Sequence, residues 1–291
     1  MNLNLPSWID LHLHSTASDG ELAPEALVAA VAEAGVQVMA LTDHDSVAGL
    51  AAARAACEER GLQLVNGVEI SCRRDALDVH VVGLGIDPEN AELTRQLAAQ
   101  MARRAERAEI IATRLKKAGV ADVLEAASIG APQGIPARPH FARALVAAGV
   151  CKDEKDAFGK YLALGKPAYV KMDWPGLEEA IGWIRGAGGV AVLAHPHRYK
   201  LTRTRLDLLL RHFREAGGGA VEVAVANQET TSVQQLADFC SRYGLHASKG
   251  SDYHGPSTRW VRPGRMPALP SRCQPVWSLL GIQEQDVQLS P

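Results

Sequence analysis

The sequence predicts an α/β fold, a parallel sheet closed into a barrel and interrupted by one helical insertion. Three observations carry that expectation. Short apolar runs alternate with Ala-rich helical stretches up to residue 88 and again from 166 onward, the pattern of repeated β-α units. About seven strands are expected, and a parallel sheet of that size in one domain closes most readily into a barrel. Between 89 and 165 the alternation gives way to helices rich in Ala, Arg and Glu. The barrel is therefore assigned to residues 1–88 and 166–291, and the insertion to 89–165.

Taken in order, the first strand is residues 8–13, where alternation sets Asp10, His12 and His14 to one side and Leu11 and Leu13 to the other. Residues 24–34 form a helix with Pro24 in its first turn and Gly35 closing it, and 36–41 return as an apolar strand ending in Thr42-Asp43-His44-Asp45. A helix over 47–59, ended by Gly61, leads to a strand over 62–68 that delivers Glu69. A further strand over 79–84 carries His80, and Pro88 stops the run. In the insertion, Ile135-Pro136-Ala137-Arg138-Pro139-His140 is punctuated by prolines that a helix cannot run through, so Arg138 is expected on a loop or helix entrance. Lys171 is read as the end of a strand, followed by a helix over 175–187 and a strand over 189–194 that runs into His195-Pro196-His197-Arg198. A helix over 205–216, a strand over 220–225 with Glu222, a helix over 231–243 and a last strand over 245–249 lead to Ser251-Asp252-Tyr253-His254. The Pro-rich tail after Pro263 is expected to wrap the surface.

Composition narrows the function classes. At 291 residues, 47% apolar and 22% charged, the chain can bury a large core. A net charge of -2 from 31 basic and 33 acidic residues gives no general attraction to a nucleic-acid backbone. The start of the chain has no basic, apolar leader, and no stretch approaches the ~20 apolar residues of a membrane span. A cytosolic location is expected, with no membrane and no obligate protein partner. Cys57, Cys72, Cys151, Cys240 and Cys273 are scattered and odd in number, which supports neither a disulfide framework nor a zinc knuckle.

In a β/α barrel the residues after each strand converge on one rim. Here they are His12, His14, His44, Glu69, His195, Asp252 and His254, with Asp19 on a loop and His80 nearby. Each alone has an ordinary explanation: His44 could cap a helix, Glu69 could be a surface acid, His195 a core imidazole. Together they form a mixed imidazole and carboxylate set without thiolates, which suits Zn, Mn or Fe better than Mg or Ca and exceeds what one ion can use. Two or three divalent ions are expected. Clustered metals of this kind act on phosphate esters, and Arg138, Lys171, His197 and Arg198 could supply the positive or hydrogen-bonding partners of such a substrate.

The motifs Asp10-Leu11-His12-Leu13-His14-Ser15, Leu41-Thr42-Asp43-His44-Asp45, Glu69, His80, Ala194-His195-Pro196-His197 and Gly250-Ser251-Asp252-Tyr253-His254 resemble, in order, those of the PHP (polymerase and histidinol phosphatase) superfamily of metal-dependent phosphoesterases. The resemblance implies a distorted (β/α)7 barrel. It implies a first metal on His12, His14, Glu69 and Asp252, a second on Asp19, His44 and His254, and a third on Glu69, His80 and His195, with Mn as the expected metal and Zn or Fe as alternatives. The insertion and the segment 135–143 resemble the bacterial subgroup that removes the 3'-phosphate from nucleoside 3',5'-bisphosphates, and the insertion is then a lid that brings Arg138 to a substrate phosphate.

The leading expectation is a phosphomonoesterase for a small nucleoside bisphosphate such as adenosine 3',5'-bisphosphate. A metal-bridging hydroxide would attack the 3'-phosphorus and His197 or His254 would protonate the leaving oxygen. Asp19, His44 and His197 would line the substrate site, and Arg138 with Lys171 would hold the other phosphate. The alternatives are a 5'-to-3' exoribonuclease on short oligonucleotides, a histidinol-phosphate phosphatase and a non-catalytic PHP binding module.

Overall fold

Seven strands lie side by side in chain order: β1 (Ile9–Leu13), β2 (Val38–Leu41), β3 (Gln63–Arg74), β4 (Leu77–Leu84), β5 (Val190–Leu193), β6 (Ala220–Val225) and β7 (His246–Gly250). The computed structural model describes residues 7–129, 131 and 134–284. The other residues of the expected barrel segments (1–6 and 285–291) and of the expected insertion (130, 132 and 133) lie outside the described residues. At the far edge β7 returns to β1: Leu13 bridges Tyr253, the His14 N–H donates to the Tyr253 carbonyl at 3.0 Å, and the Asp252 N–H donates to the His12 carbonyl at 2.9 Å. The sheet is thus a nearly closed barrel. At Gly250 the two strands come so close that a Cβ would lie 2.3 Å from the His12 Cβ, so any side chain there would push His12 away.

The sheet is mixed, which corrects the all-parallel expectation. β1, β2 and β3 are parallel, as are β5, β6 and β7, but β4 runs antiparallel to both its neighbours. The reason is local. β3 does not stop at Val68 but continues to Arg74, leaving only Asp75 and Ala76 before β4, with Asp75 in the left-handed region at φ 54. A parallel return needs a crossover of about a dozen residues, whereas two suffice for a hairpin. Glu69 and His80 therefore sit within strands, Glu69 opposite Val82 and His80 opposite Ser71, and not at strand ends.

Helices α1 (Pro24–Glu33) and α2 (Leu50–Arg60) pack Leu27, Val28, Val31 and Ala53 on Leu13, Met39 and Leu41. A long helix, α3 (Ala91–Lys117), begins where Asn90 Oδ1 accepts the Leu93 N–H at 3.0 Å and ends in Arg114, Lys116 and Lys117, whose charge suits a helix C-terminus. Its 27 residues span about 40 Å. Leu93 and Leu97 near its start pack on the barrel layer, whereas Ala108, Ile111 and Leu115 enter a second core with Phe141, Leu145 and Trp174. That second core is completed by α4 (Leu124–Ser128), α5 (Arg138–Ala147), α6 (Glu154–Ala157) and a π turn over Phe158–Leu162. The remaining helices, α7 (Leu177–Gly186), α8 (Arg203–Glu215) and α9 (Thr230–Tyr243), cover β3 to β7 through Ile181, Leu210 and Leu236.

The tail does more than wrap the surface. Val276 and Trp277 are buried in the same cluster as Ile9, Leu11, Val82 and Val192, and Trp277 meets Trp8 edge-on at 5.5 Å. Burying such side chains contributes roughly 1.5–3 kcal/mol each, so this segment belongs to the barrel core. Among the described residues no helix is long and apolar enough to cross a membrane.

Candidate metal centre and flanking clefts

At the end of β1 the pairing register with β2 shifts between Asp10 and Leu13, and the simple alternation expected there breaks. Leu13 joins the layer under α1 and α2, while Ile9 and Leu11 pack in the other cluster. Asp10 does not join the histidines: its carboxylate accepts the N–H groups of Ser251 and Gly264, each at 2.8 Å, and ties β1 to β7 and the tail. His12 and His14 converge, with their Nε2 atoms 3.0 Å apart and each 3.3 Å from both Glu69 Oε2 and Asp252 Oδ1.

Glu69 is the hub. Oε2 also lies 2.9 Å from His44 Nδ1, and Oε1 lies 2.9 Å from His80 Nδ1 and 3.0 Å from His195 Nε2. Asp19 Oδ1 sits 3.4 Å from His254 Nε2 and 3.8 Å from His44 Nε2. Asp43 places Asp19: it accepts the Ser15 N–H at 2.8 Å and the Ser15 and Ser18 hydroxyls at 2.7 and 2.6 Å, folding the loop that carries it. His195 at φ 30, Asp252 at φ 55 and Asp45 at φ 50 hold left-handed backbone that non-glycine residues seldom adopt, the kind of strain that clusters at functional sites.

Three groups could hold an ion with donor atoms within 4.8 Å of one another: His12, His14 and Glu69; His14, Asp19, His44 and His254; and His44, Glu69 and His80. The expected sets are brought together with three differences. His14 belongs to two groups, His44 joins Glu69 and His80 where His195 was expected, and Asp252, although its Oδ1 lies 3.3 Å from both His12 and His14 Nε2, is in none of the three groups. The donor chemistry fits divalent ions. Asp19 Oδ1, His44 Nδ1, Glu69 Oε2 and His195 Nδ1 are buried without a hydrogen-bond partner, and leaving such atoms unpaired costs about 1–3 kcal/mol each.

Sequence reasoning placed Glu222 on a strand but missed its part in the site. Buried in an otherwise apolar strand, it accepts from His12 Nδ1 at 2.6 Å and from the His195 N–H at 2.6 Å. A carboxylate only accepts, so the His12 proton sits on Nδ1 and leaves Nε2 free to ligate. The lone acid in Ala-Val-Glu-Val-Ala-Val was the available signal.

The electrostatics follow burial against charge. Burial disfavours His14 as a cation, but Asp252 and Glu69 outweigh it and raise His14 to about 10. Burial prevails at His44, pulled down to about 4 despite Glu69 and Asp19. At Asp252 burial is overcome by His12 and His254, which hold the carboxyl well below its ordinary range. Burial, with Arg198 and His195, also pulls His197 down to about 4. His197 is thus neutral near pH 7, and His254 stands with His14, Asp19 and His44 in one candidate ion group.

Two clefts flank the cluster and share Asp19 and Pro139. One, of about 130 Å³, lies between the metal cluster and helices α3 and α5 and gathers Arg104, Arg107 and Arg138 beside His44, His80 and Trp174. Arg104 is committed to Asp45, with Nε 2.8 Å from Oδ2. Arg107 and Arg138 have no acidic partner among the described residues; they stack over Trp174 and Phe158 at 5.9 and 6.0 Å. Burial and the neighbouring Arg138 and Arg104 pull Arg107 down to about 9, and its Nε is buried and unbonded. Arg138 opens α5, as the helix-entrance expectation held. Lys171 departs from expectation: it is exposed, in no strand, and lines neither cleft. Arg107 occupies the position sequence reasoning had given to Lys171. The other cleft, about 400 Å³ and open, runs past Asp252, His254, His197 and Arg198 to Asn227 and Trp260.

Residues 10–224 match the PHP domain. The chain belongs to the PHP family. Two relatives are similar over nearly the whole length: a 3',5'-nucleoside bisphosphate phosphatase of Chromobacterium violaceum, 43% identical and covering 92% of this chain and 95% of its own, and the 5'-3' exoribonuclease Rnm of Escherichia coli K12, 45% identical over 93% and 92%. Among solved structures, an amidohydrolase from Chromobacterium violaceum with bound sulfate and no metal superposes with a TM-score of 0.89 at 43% identity, covering 94% of this chain and 96% of that one. These PHP neighbours accord with the distorted (β/α)7 barrel, here with β4 reversed.

Proposed function

We propose that this PHP chain is a metal-dependent phosphomonoesterase that removes the 3'-phosphate of nucleoside 3',5'-bisphosphates, giving a 5'-nucleotide and phosphate. The observation that carries the reading is the pairing of a Glu69-centred imidazole and carboxylate cluster with a cleft where the half-buried Arg107 and Arg138 form no ion pair among the described residues. One phosphate belongs at the cluster and the other in the arginine cleft, so a bisphosphate fits where a monophosphate leaves two half-buried cations unpaired. The likeness to the Chromobacterium violaceum phosphatase supports the same substrate class.

The ligands in this reading are His12, His14, Glu69 and Asp252 for one ion, Asp19, His44 and His254 for a second, and Glu69, His80 and His195 for a third, with Mn as the metal and Zn or Fe as alternatives. Bound divalent ions would polarise the phosphoryl oxygens and acidify water. The protein's own part is positioning. Glu222 fixes the His12 ring, Asp43 fixes the loop of Asp19, and Arg107 with Arg138 orients the substrate from its far phosphate. His197 and His254 border the open cleft and are the candidates for passing a proton to the leaving oxygen. Residues 89–165 act as the lid that delivers Arg138. Free cysteines at all five positions suit a cytoplasmic setting in nucleotide metabolism.

Phosphate release from adenosine 3',5'-bisphosphate, 3'-AMP and histidinol phosphate, measured with the metal content of the purified protein, tests the proposal. The bisphosphate is expected to lead. Equal turnover of all three would overturn it. A second reading, trimming of short RNA from its 5' end, is favoured by the open cleft and by the likeness to the exoribonuclease.

A further inference from the structure

The proposed function uses the cluster and the small arginine cleft for two phosphates, yet the larger cleft on the other side of Asp19 is open and three times the volume, about 400 Å³ against 130 Å³. At its rim stands Trp260, 73% exposed, an unusual placement for so large an aromatic on a globular surface. The segment that presents it is pinned. Glu21 accepts the Ser257 N–H at 3.1 Å and also bonds its hydroxyl, Asn227 Nδ2 donates to the Trp260 carbonyl at 3.2 Å, and Asp10 holds the Gly264 N–H. Gly255, at φ 148, lets this happen, since a Cβ there would lie 2.5 Å from the Glu21 side chain. Arg143 and Arg198 line the same cleft as Trp260, and Arg259, Arg262 and Arg265 are exposed on the segment beside it, without an ion pair among the described residues. An aromatic ring with basic side chains along an exposed groove is what single-stranded nucleic acid binds: the ring stacks a base and the cations follow phosphates. Of the acids in the cleft, Asp19 and Asp252 belong to the metal cluster and Glu21 is held by Ser257, while Arg143 and Arg198 stand on the same walls.

We propose that the open cleft is the subsite for the nucleotide on the far side of the scissile phosphorus, with Trp260 as the platform for its base. The inference rests on the phosphatase reading and extends it to short 5'-phosphorylated RNA. In a nucleoside 3',5'-bisphosphate the scissile phosphorus carries free oxygens. In RNA one of those oxygens is the O5' of the next nucleoside, which projects from the cluster away from the arginine cleft. The same bonds change in both substrates. A water oxygen joins phosphorus, the P–O3' bond breaks, O3' takes up a proton, and the water's proton goes to solvent. A 5'-nucleotide leaves, and the remaining strand keeps a 5'-phosphate that fits the arginine cleft for the next round.

The experiment measures kcat/KM of the metal-loaded full chain on adenosine 3',5'-bisphosphate, on the 5'-phosphorylated dinucleotide pApA, and on the same dinucleotide with its second base removed. Trp260→Ala is expected to lower the ratio of pApA to bisphosphate efficiency by about five- to 150-fold, the fold-change equivalent to about 1–3 kcal/mol of base–aromatic stacking. Trp260→Phe should restore most of it. Removing the base from the substrate should cost the wild type the same factor and cost Trp260→Ala nothing further, because partners in one contact are not additive. An unchanged ratio, or losses that simply add, overturns the inference, as does equal loss on both substrates, which would place the nucleoside's own base on Trp260. A wild type that cleaves the bisphosphate but not pApA refutes this inference alone. One that cleaves neither refutes the phosphatase reading beneath it.

Discussion

Glu222→Gln isolates the residue that links β6 to the metal cluster without being a ligand. The wild-type carboxylate divides its oxygens: Oε1 takes the His12 Nδ1–H and Oε2 takes the His195 backbone N–H, both at 2.6 Å. A carboxamide offers one acceptor oxygen, so its NH2 must face one of two N–H groups. When the backbone keeps the oxygen, His12 loses its acceptor, and its ring is no longer held with Nε2 toward Glu69 and Asp252. A hydrogen bond to a charged group is worth about 1.5–3 kcal/mol. That corresponds to roughly ten- to hundred-fold in metal affinity, the range typical for such supporting residues. Competition with a fluorescent chelator should show the dissociation constant of the variant for Mn rising by that factor. kcat at saturating Mn should fall far less, and the circular dichroism spectrum should match the wild type. Unchanged metal affinity would refute the reasoning, as would a collapse of kcat at full metal occupancy.

Asp252→Asn should abolish turnover and lower metal content, because a neutral amide cannot replace the anionic oxygen that faces both His12 and His14; near-normal rate and occupancy would exclude Asp252 as a ligand. Arg138→Ala should cost the bisphosphate about one to two orders of magnitude in kcat/KM, from a charge-assisted contact of roughly 1.5–3 kcal/mol, while 3'-AMP hydrolysis survives; an equal factor on both would place Arg138 on the transferred phosphoryl group or in the fold. The metal-free protein should lose stability as pH rises. His14 is raised from the ordinary histidine value to about 10, so its contribution is complete below about 6.5 and is lost as pH climbs through 10. Thermal melts in chelator should show Tm falling across that window, and a flat profile would contradict the burial-versus-carboxylate balance at His14.

Much of the barrel was legible because both of its periodicities are local. The β-α alternation set strand and helix positions to within a few residues, and imidazoles or carboxylates next to those strands marked most of the cluster. What failed did so where the decisive partner is distant in sequence. The β3–β4 hairpin was read as a gap because Ile70 to Arg74 continue a strand only when β4 is there to pair with it. Lys171 looked like a strand end, yet no neighbour pairs with that stretch and its charge stays in water.

The sequence by itself determined the fold class, the run of helices between β4 and β5 and the inventory of metal-capable side chains, since these depend on composition and short-range pattern. Only the tertiary structure decided that Glu69 is the hub, that Glu222 holds His12 from 210 residues away, and that Arg107 joins Arg138 in one cleft. Those are distances of a few ångströms between remote positions, and they follow from barrel closure at Gly250 and from the anchoring of α3 on Asp45, where Arg104 crosses to the rim.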